Sequence, residues 1–238
     1  MAQKRLEGRR ILLTGVSRGV GFETAKRFLG EGARILGVAK DGGRLGRAAE
    51  ELAALGDFAS LQLDLVAPQA PARVADAVHK RWGALDVAMN NAAILVNAGE
   101  PQGFEDEPPG SLELSLDINL LAPFRLTMAL LPFLRKGREP RIVNVGSGAG
   151  TFEGVRMAGI ASYRLSKWAL HGMTLLLSTH LAGEVAVNTF DPGWVKTDLG
   201  GPNAPGDPRE SAEGALAVAT LPFSTTGKFW KDGREIPF

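Results

Sequence analysis

The segment RILLTGVSRGVG, Arg10 to Gly21, constrains this chain more than any other. Its first half, Arg10–Gly15, is a short apolar run that reads as a strand buried on both faces. It runs directly into glycines at 15, 19 and 21. Apolar residues at helical spacing follow, Val20, Phe22, Ala25, Phe28 and Leu29, stopped by Gly30 and Gly32. The pattern then repeats. Strands are expected at 34–39, 58–65, 85–92, 141–147 and 185–193. Helices are expected at 44–55, 71–82, 112–135, 161–181 and 210–220, with Pro123 inside the third of these. GKFWKDGREI, 227–236, reads as a strand and a turn at Asp232-Gly233. Such alternation predicts an α/β fold with a parallel sheet and right-handed crossovers. The 238 residues suit one domain, with no repeat, low-complexity stretch or linker. Pro/Gly-rich stretches at 99–110 and 200–208 are loops, placed where the lids of open α/β sheets sit.

The glycine spacing is G-x-x-x-G-x-G. Glycine permits the tight turn and lets the backbone approach a pyrophosphate. The helix that follows presents free N–H groups and a partial positive charge. Its place between the first strand and the first helix points to a dinucleotide cofactor. The tip of the second strand, GVAKD, bears on which one. Ala39 stands where an acid bonding a ribose 2′-OH is expected, Lys40 follows, and Arg18 lies in the glycine loop. Two cations and no acid suit a 2′-phosphate, so NADP(H) is favoured. NAD(H) stays open through Asp41, should the strand end later.

Composition narrows the field by exclusion. A net charge of +1 gives no strong field to draw nucleic acid or an anionic membrane. With no cysteine there are no disulfides, thiolate nucleophiles or cysteine metal sites, which fits a cytoplasmic protein. His79, His171 and His180 are scattered without carboxylate partners at ligand spacing, so no metal site is read. The polar, basic start MAQKRLEGRR lacks an apolar signal core. No apolar run approaches the roughly 20 residues of a membrane helix.

Tyr163 is the only tyrosine, and Lys167 stands four residues later on the same expected helix face. A phenol ordinarily ionises near 10. A neighbouring ammonium favours phenolate and is expected to pull that value down, giving a proton donor matched to a carbonyl or alcohol oxygen. A strand ending at Ser147 precedes the pair and offers a hydrogen bond to a developing alkoxide.

Taken together, TGVSRGVG (14–21), Leu63-Asp64, NNAA (90–93), DINL (117–120), VNVGSGAG (143–150), YRLSK (163–167) and DPGWVKTD (191–198) resemble the short-chain dehydrogenase/reductase family, in its order and over nearly the whole chain. The resemblance implies a single Rossmann-like, doubly wound domain over 1–238 with helices on both faces. Substrate loops would lie at about 93–112, 148–161 and 194–210. It implies Tyr163 as general acid/base, with Lys167 lowering its pKa and bonding the nicotinamide ribose. Ser147 would position the substrate oxygen, and Asn119 would hold a water linking Lys167 to solvent. Around the cofactor it implies Gly15, Ser17, Arg18, Gly19, Val20, Gly21, Lys40, Leu65 and Ala92. Asp64 would contact adenine and Asn91 would line the fourth strand. Pro192, Gly193 and Val195 would pack on the nicotinamide, and Thr197 would reach its carboxamide or a phosphate. Two departures stand out: Ala93 replaces the family's glycine, and the Ser147–Tyr163 interval is lengthened within TFEGVRMAGI, 151–160.

The expected reaction is NADP(H)-dependent interconversion of a small-molecule carbonyl and alcohol. Ile94, Phe152, Met157 and Trp194 are candidate pocket residues, suggesting an apolar substrate. Two other readings are a non-catalytic NADP-binding scaffold and an epimerase or dehydratase on the same fold. By resemblance, a homodimer or homotetramer would form through the helices at 112–135 and 161–181 and the last strand.

Overall fold

In the computed structural model, which describes residues 4–96 and 104–238, β1 (Arg10–Thr14) is buried beyond its first residue. Its side chains alternate between two cores: Ile11 and Leu13 enter one, Leu12 the other. That explains why the strand is apolar throughout. The first three residues and 97–103 of the first expected substrate loop lie outside the described residues.

Strand and helix then alternate: α1 (Gly19–Gly30), β2 (Arg34–Ala39), α2 (Gly42–Ala53), β3 (Phe58–Gln62), α3 (Ala70–Arg81) and β4 (Val87–Asn90). The second half holds α4 (Ser111–Leu116), α5 (Ala122–Leu134), β5 (Arg141–Val145), α6 (Ala161–His180), β6 (Ala186–Phe190), α7 (Pro208–Ala219), β7 (Phe229–Lys231) and β8 (Arg234–Ile236). The sheet order is β3-β2-β1-β4-β5-β6-β7-β8, parallel except for the β7–β8 pair. Helices α1, α2 and α7 cover one face around Phe28, Leu52 and Leu216. Helices α3, α5 and α6 cover the other around Val78, Leu130 and Leu170. The order reverses between β1 and β4, which opens a crevice at their carboxyl ends.

Several strands end earlier than their sequence predicts, for one reason. Residues 63–65, 91–92, 146–147 and 191–193 leave the ladder and turn over its end to line that crevice. The expected helix at 112–135 is interrupted by a π turn, Asp117–Leu121. Pro123 falls in the first turn of α5, directly after the π turn. The helical rod Ser111–Leu134 is nonetheless continuous, and its length and apolarity would suffice for a membrane span. Its Leu126, Leu130 and Leu134 are buried in the core with Val74 and Val78 of α3. The turn at Asp232-Gly233 has positive φ at both residues, 48° and 73°, and returns the chain as β8.

Candidate active site

The crevice is about 1200 Å³. Of the catalytic and cofactor-binding residues singled out from the sequence, all but Asn119 line it.

At one end the glycine loop is shaped by backbone need. Gly15 and Gly19 adopt φ of 74° and 56°. A Cβ on Gly21 would overlap the Gly15 carbonyl and the Asn91 amide. The loop is braced from β4: Thr14 Oγ1 accepts the N–H groups of Asn91 and Ala92, each at 3.0 Å. Asn91 Nδ2 donates to the Thr14 carbonyl at 2.8 Å. Asn91 therefore holds the loop as well as lining the cleft, a role Thr14 shares and the sequence did not reveal. No side chain caps α1 and its first turn carries no acid. Its leading N–H groups thus present an uncompensated positive end, the requirement for a pyrophosphate.

Beside this loop three cations gather, each already ion-paired. Lys40 reaches Asp64 at 2.7 Å. That bond, foremost, holds the Asp64 carboxyl below its usual range against the effect of burial. Arg18 and Arg44 both pair with Asp198, Arg44 at 3.1 Å. Asp41, the acid that kept NAD(H) open, caps α2 by accepting the Arg44 N–H at 3.0 Å. Arg44 is the residue missed in the sequence. Its signal was the cap itself: once Asp41 starts α2, Arg44 falls in the first turn and faces the cleft.

At the other end Tyr163 and Lys167 lie buried on α6. Lys167 Nζ donates to the Val145 carbonyl at 2.8 Å and lies 5.6 Å from the Tyr163 ring centre. The Ser147 hydroxyl accepts the Ala149 N–H at 3.1 Å and faces the phenol. Burial pushes the phenol up to about 12; the Ser147 hydroxyl opposes this and the Asp191 charge adds to it. Burial likewise pushes the Lys167 ammonium down to about 8, with Asp191 opposing. The expected lowering of the phenol by its lysine does not set its direction; desolvation does. Asn119 sits in the π turn outside the cleft. Its amide bonds the Ile94 N–H and carbonyl, at 2.9 and 3.0 Å, and Ser166 Oγ at 2.9 Å.

Toward the substrate side, Ile94, Met157 and Trp194 line the cleft, joined by Ile160. Phe152 does not: it packs outside against Trp168, ring centres 6.3 Å apart, which corrects its assignment to the pocket. The lengthened 151–160 segment is pinned by Arg164, which donates to the carbonyls of Gly154, Ala158 and Gly159 at 2.8–3.0 Å. Thr197 lies over Gly19, tying the 194–200 loop to the glycine loop.

Comparison with known proteins agrees with this geometry. The family model for short chain dehydrogenase matches residues 9–207. Over 195 residues the chain is 32% identical to the 3-oxoacyl-acyl-carrier-protein reductase FabG of Vibrio cholerae, covering 82% of this chain and 76% of that one. The NADPH-bound carbonyl reductase from chicken fatty liver superposes with a TM-score of 0.88 at 25% identity, covering 98% of this chain and 100% of that one. The Pseudomonas aeruginosa RhlG/NADP complex gives 0.86 at 28%, covering 98% of each. A strand–glycine loop–helix opening, a buried Tyr-x-x-x-Lys helix and a family match over most of its length together place the chain in the short chain dehydrogenase family of NAD(P)-dependent oxidoreductases.

Proposed function

We propose that the protein interconverts a carbonyl and an alcohol with NADP(H), Tyr163 acting as general acid/base. The observation that carries this reading is the buried pair Tyr163 and Lys167 beside half-buried Ser147, just past the end of β5, opposite an uncapped helix N-terminus in the same cleft. When bound, the nicotinamide supplies or accepts the hydride. In reduction, Ser147 orients the carbonyl oxygen and Tyr163 gives it the phenolic proton. Lys167 supplies positive charge as phenolate forms and holds the nicotinamide ribose. Asn119 commits its side chain to Ile94 and Ser166, and so braces α6, the helix that carries Tyr163 and Lys167. The α1 N-terminus would hold the pyrophosphate, and Arg18 and Arg44, now paired with Asp198, would hold the 2′-phosphate. The NADPH and NADP complexes among the similar structures favour the phosphorylated cofactor.

The substrate is a small apolar carbonyl compound or alcohol, contacted by Ile94, Met157 and Trp194. Assembly into a dimer or tetramer would cover Leu112, Leu114, Phe124 and Met128 of the α4–α5 rod and Leu165, Trp168, Leu175 and Leu176 of α6, all exposed here. The cytoplasm is the compartment a cysteine-free chain suits. The test is Tyr163→Phe with an active carbonyl substrate: turnover should fall at least about a hundredfold with NADPH affinity within about twofold. Unchanged turnover would remove Tyr163 from the chemistry.

A further inference from the structure

One buried carboxylate in the cleft has no part in the scheme above. Asp191 follows β6 directly and is 4% exposed. Its two oxygens face different loops. Oδ2 accepts the Gly148 N–H at 3.0 Å, one residue past Ser147. Oδ1 accepts the Gly193 N–H at 2.9 Å. Lys231 of β7 brings its ammonium to 3.5 Å from Oδ2. Among the described residues, Tyr163 and Lys167 of α6 also face its charge. One turn further along α6, His171 supports the same Ser147 turn, Nε2 accepting the Ser147 N–H at 3.4 Å. Lys167 itself donates to a neutral carbonyl, Val145, so Asp191 is the charge that opposes its loss of a proton in burial.

We propose that Asp191 is a positioning residue: it clamps the Ser147 turn to the Pro192-Gly193 turn and supplies the negative charge that Tyr163 and Lys167 face. The role rests on the Tyr163 reading and adds to it. An isosteric amide cannot replace the carboxylate, because Asn accepts through one oxygen and would turn its NH2 group toward a backbone N–H. Removing the charge acts on both partners with one sign. The phenol and the ammonium would each release a proton at lower pH.

The experiment pairs kinetics with a direct titration. The chain has a single tyrosine, so protein labelled with 13C-tyrosine gives one phenol signal, that of Tyr163. In Asp191→Asn that signal should titrate at lower pH than in the wild type. The alkaline limb of kcat should move acidward, and kcat should fall roughly tenfold to a hundredfold with NADPH affinity within about twofold. Lys231→Gln removes the opposing cation at the cleft mouth and should move the limb the other way. A wild-type phenol titration and kcat in Asp191→Asn would overturn the proposal, as would limbs moving in the same direction in both variants. Should Asp191→Asn not fold, Lys231→Gln decides: a limb moved alkaline supports the clamp's charge, an unmoved one overturns it. Because the phenol signal needs no turnover, an active Tyr163→Phe enzyme would refute the acid/base assignment without touching this readout.

Discussion

Three cations near the β2 tip are not equivalent. Lys40 is the most exposed, and its partner Asp64 lies on its own side of the cleft. Arg18 and Arg44 converge on one carboxylate, Asp198, from the glycine loop and from α2. Two guanidinium groups aimed at one anion make a ready phosphate seat, since each can donate in a planar fork. Arg44→Ala should therefore weaken NADPH binding roughly tenfold to a hundredfold and leave NADH within about threefold, followed by reduced-nicotinamide fluorescence. Lys40→Ala should have the smaller effect; equal losses for both cofactors in Arg44→Ala would disprove a phosphate-reading role. Lys40 and Arg18 were legible in the sequence because they flank the glycine loop and the strand tip. Arg44 was not, because its direction depends on where Asp41 starts the helix. The phenol's direction was misread for a related reason: the Tyr-x-x-x-Lys spacing shows the lysine, but not the depth at which both are buried.

Among the elements, the π turn between α4 and α5 does what a regular helix would not. The extra residue in that turn places Asn119 against Ile94, just past the end of β4, and against Ser166 on α6. One side chain thus joins the rod, the loop after β4 and the helix that carries Tyr163. Asn119→Ala would strand the Ile94 N–H and carbonyl and leave the Ser166 hydroxyl with only its bond to the Tyr163 carbonyl. It should lower stability by roughly 1–3 kcal/mol in urea unfolding and reduce kcat as well. Normal stability would mean that these groups find other partners. The order of strands and helices could be read from periodicity alone, and so could the hairpin signal Asp232-Gly233. The π turn could not, since apolar spacing continues through Asp117–Leu121 without a break and Pro123 suggested a different interruption. Strand ends were overestimated wherever apolar residues continue past the ladder to line the cleft.

For the molecule as a whole, the end of the sheet opposite the cleft carries its own fastening. Asp86 is 2% exposed and accepts from the Arg10 side chain at 2.8 and 3.0 Å. It also accepts the backbone N–H groups of Arg10 and Arg138, at 2.8 and 2.6 Å. Burial alone would raise its carboxyl, but these bonds win and hold it below the usual carboxylate range. A depressed carboxyl stabilises the fold above its unfolded value, and that stability is lost as pH falls through the folded one. Burial pushes His171 down to about 4, so its contribution is lost as pH falls from its ordinary 6.5 toward that value. Both groups put the loss on the acid side. Melting temperature should fall as the solution is acidified below about 6, and Asp86→Asn should cost about 3 kcal/mol at neutral pH, with less left to lose in acid. A variant as stable as the wild type would show the Arg10 pair to be dispensable. The two cores described for β1 have a different consequence. The glycine loop is rooted in the layer of α1, α2 and α7, whereas Tyr163 and Lys167 ride on the layer of α3, α5 and α6. The two layers are separate apolar units joined by a common wall of strands, so each can breathe with its own opening free energy. A dinucleotide lying across the crevice would bridge them, turning two semi-independent leaves into one cooperative body.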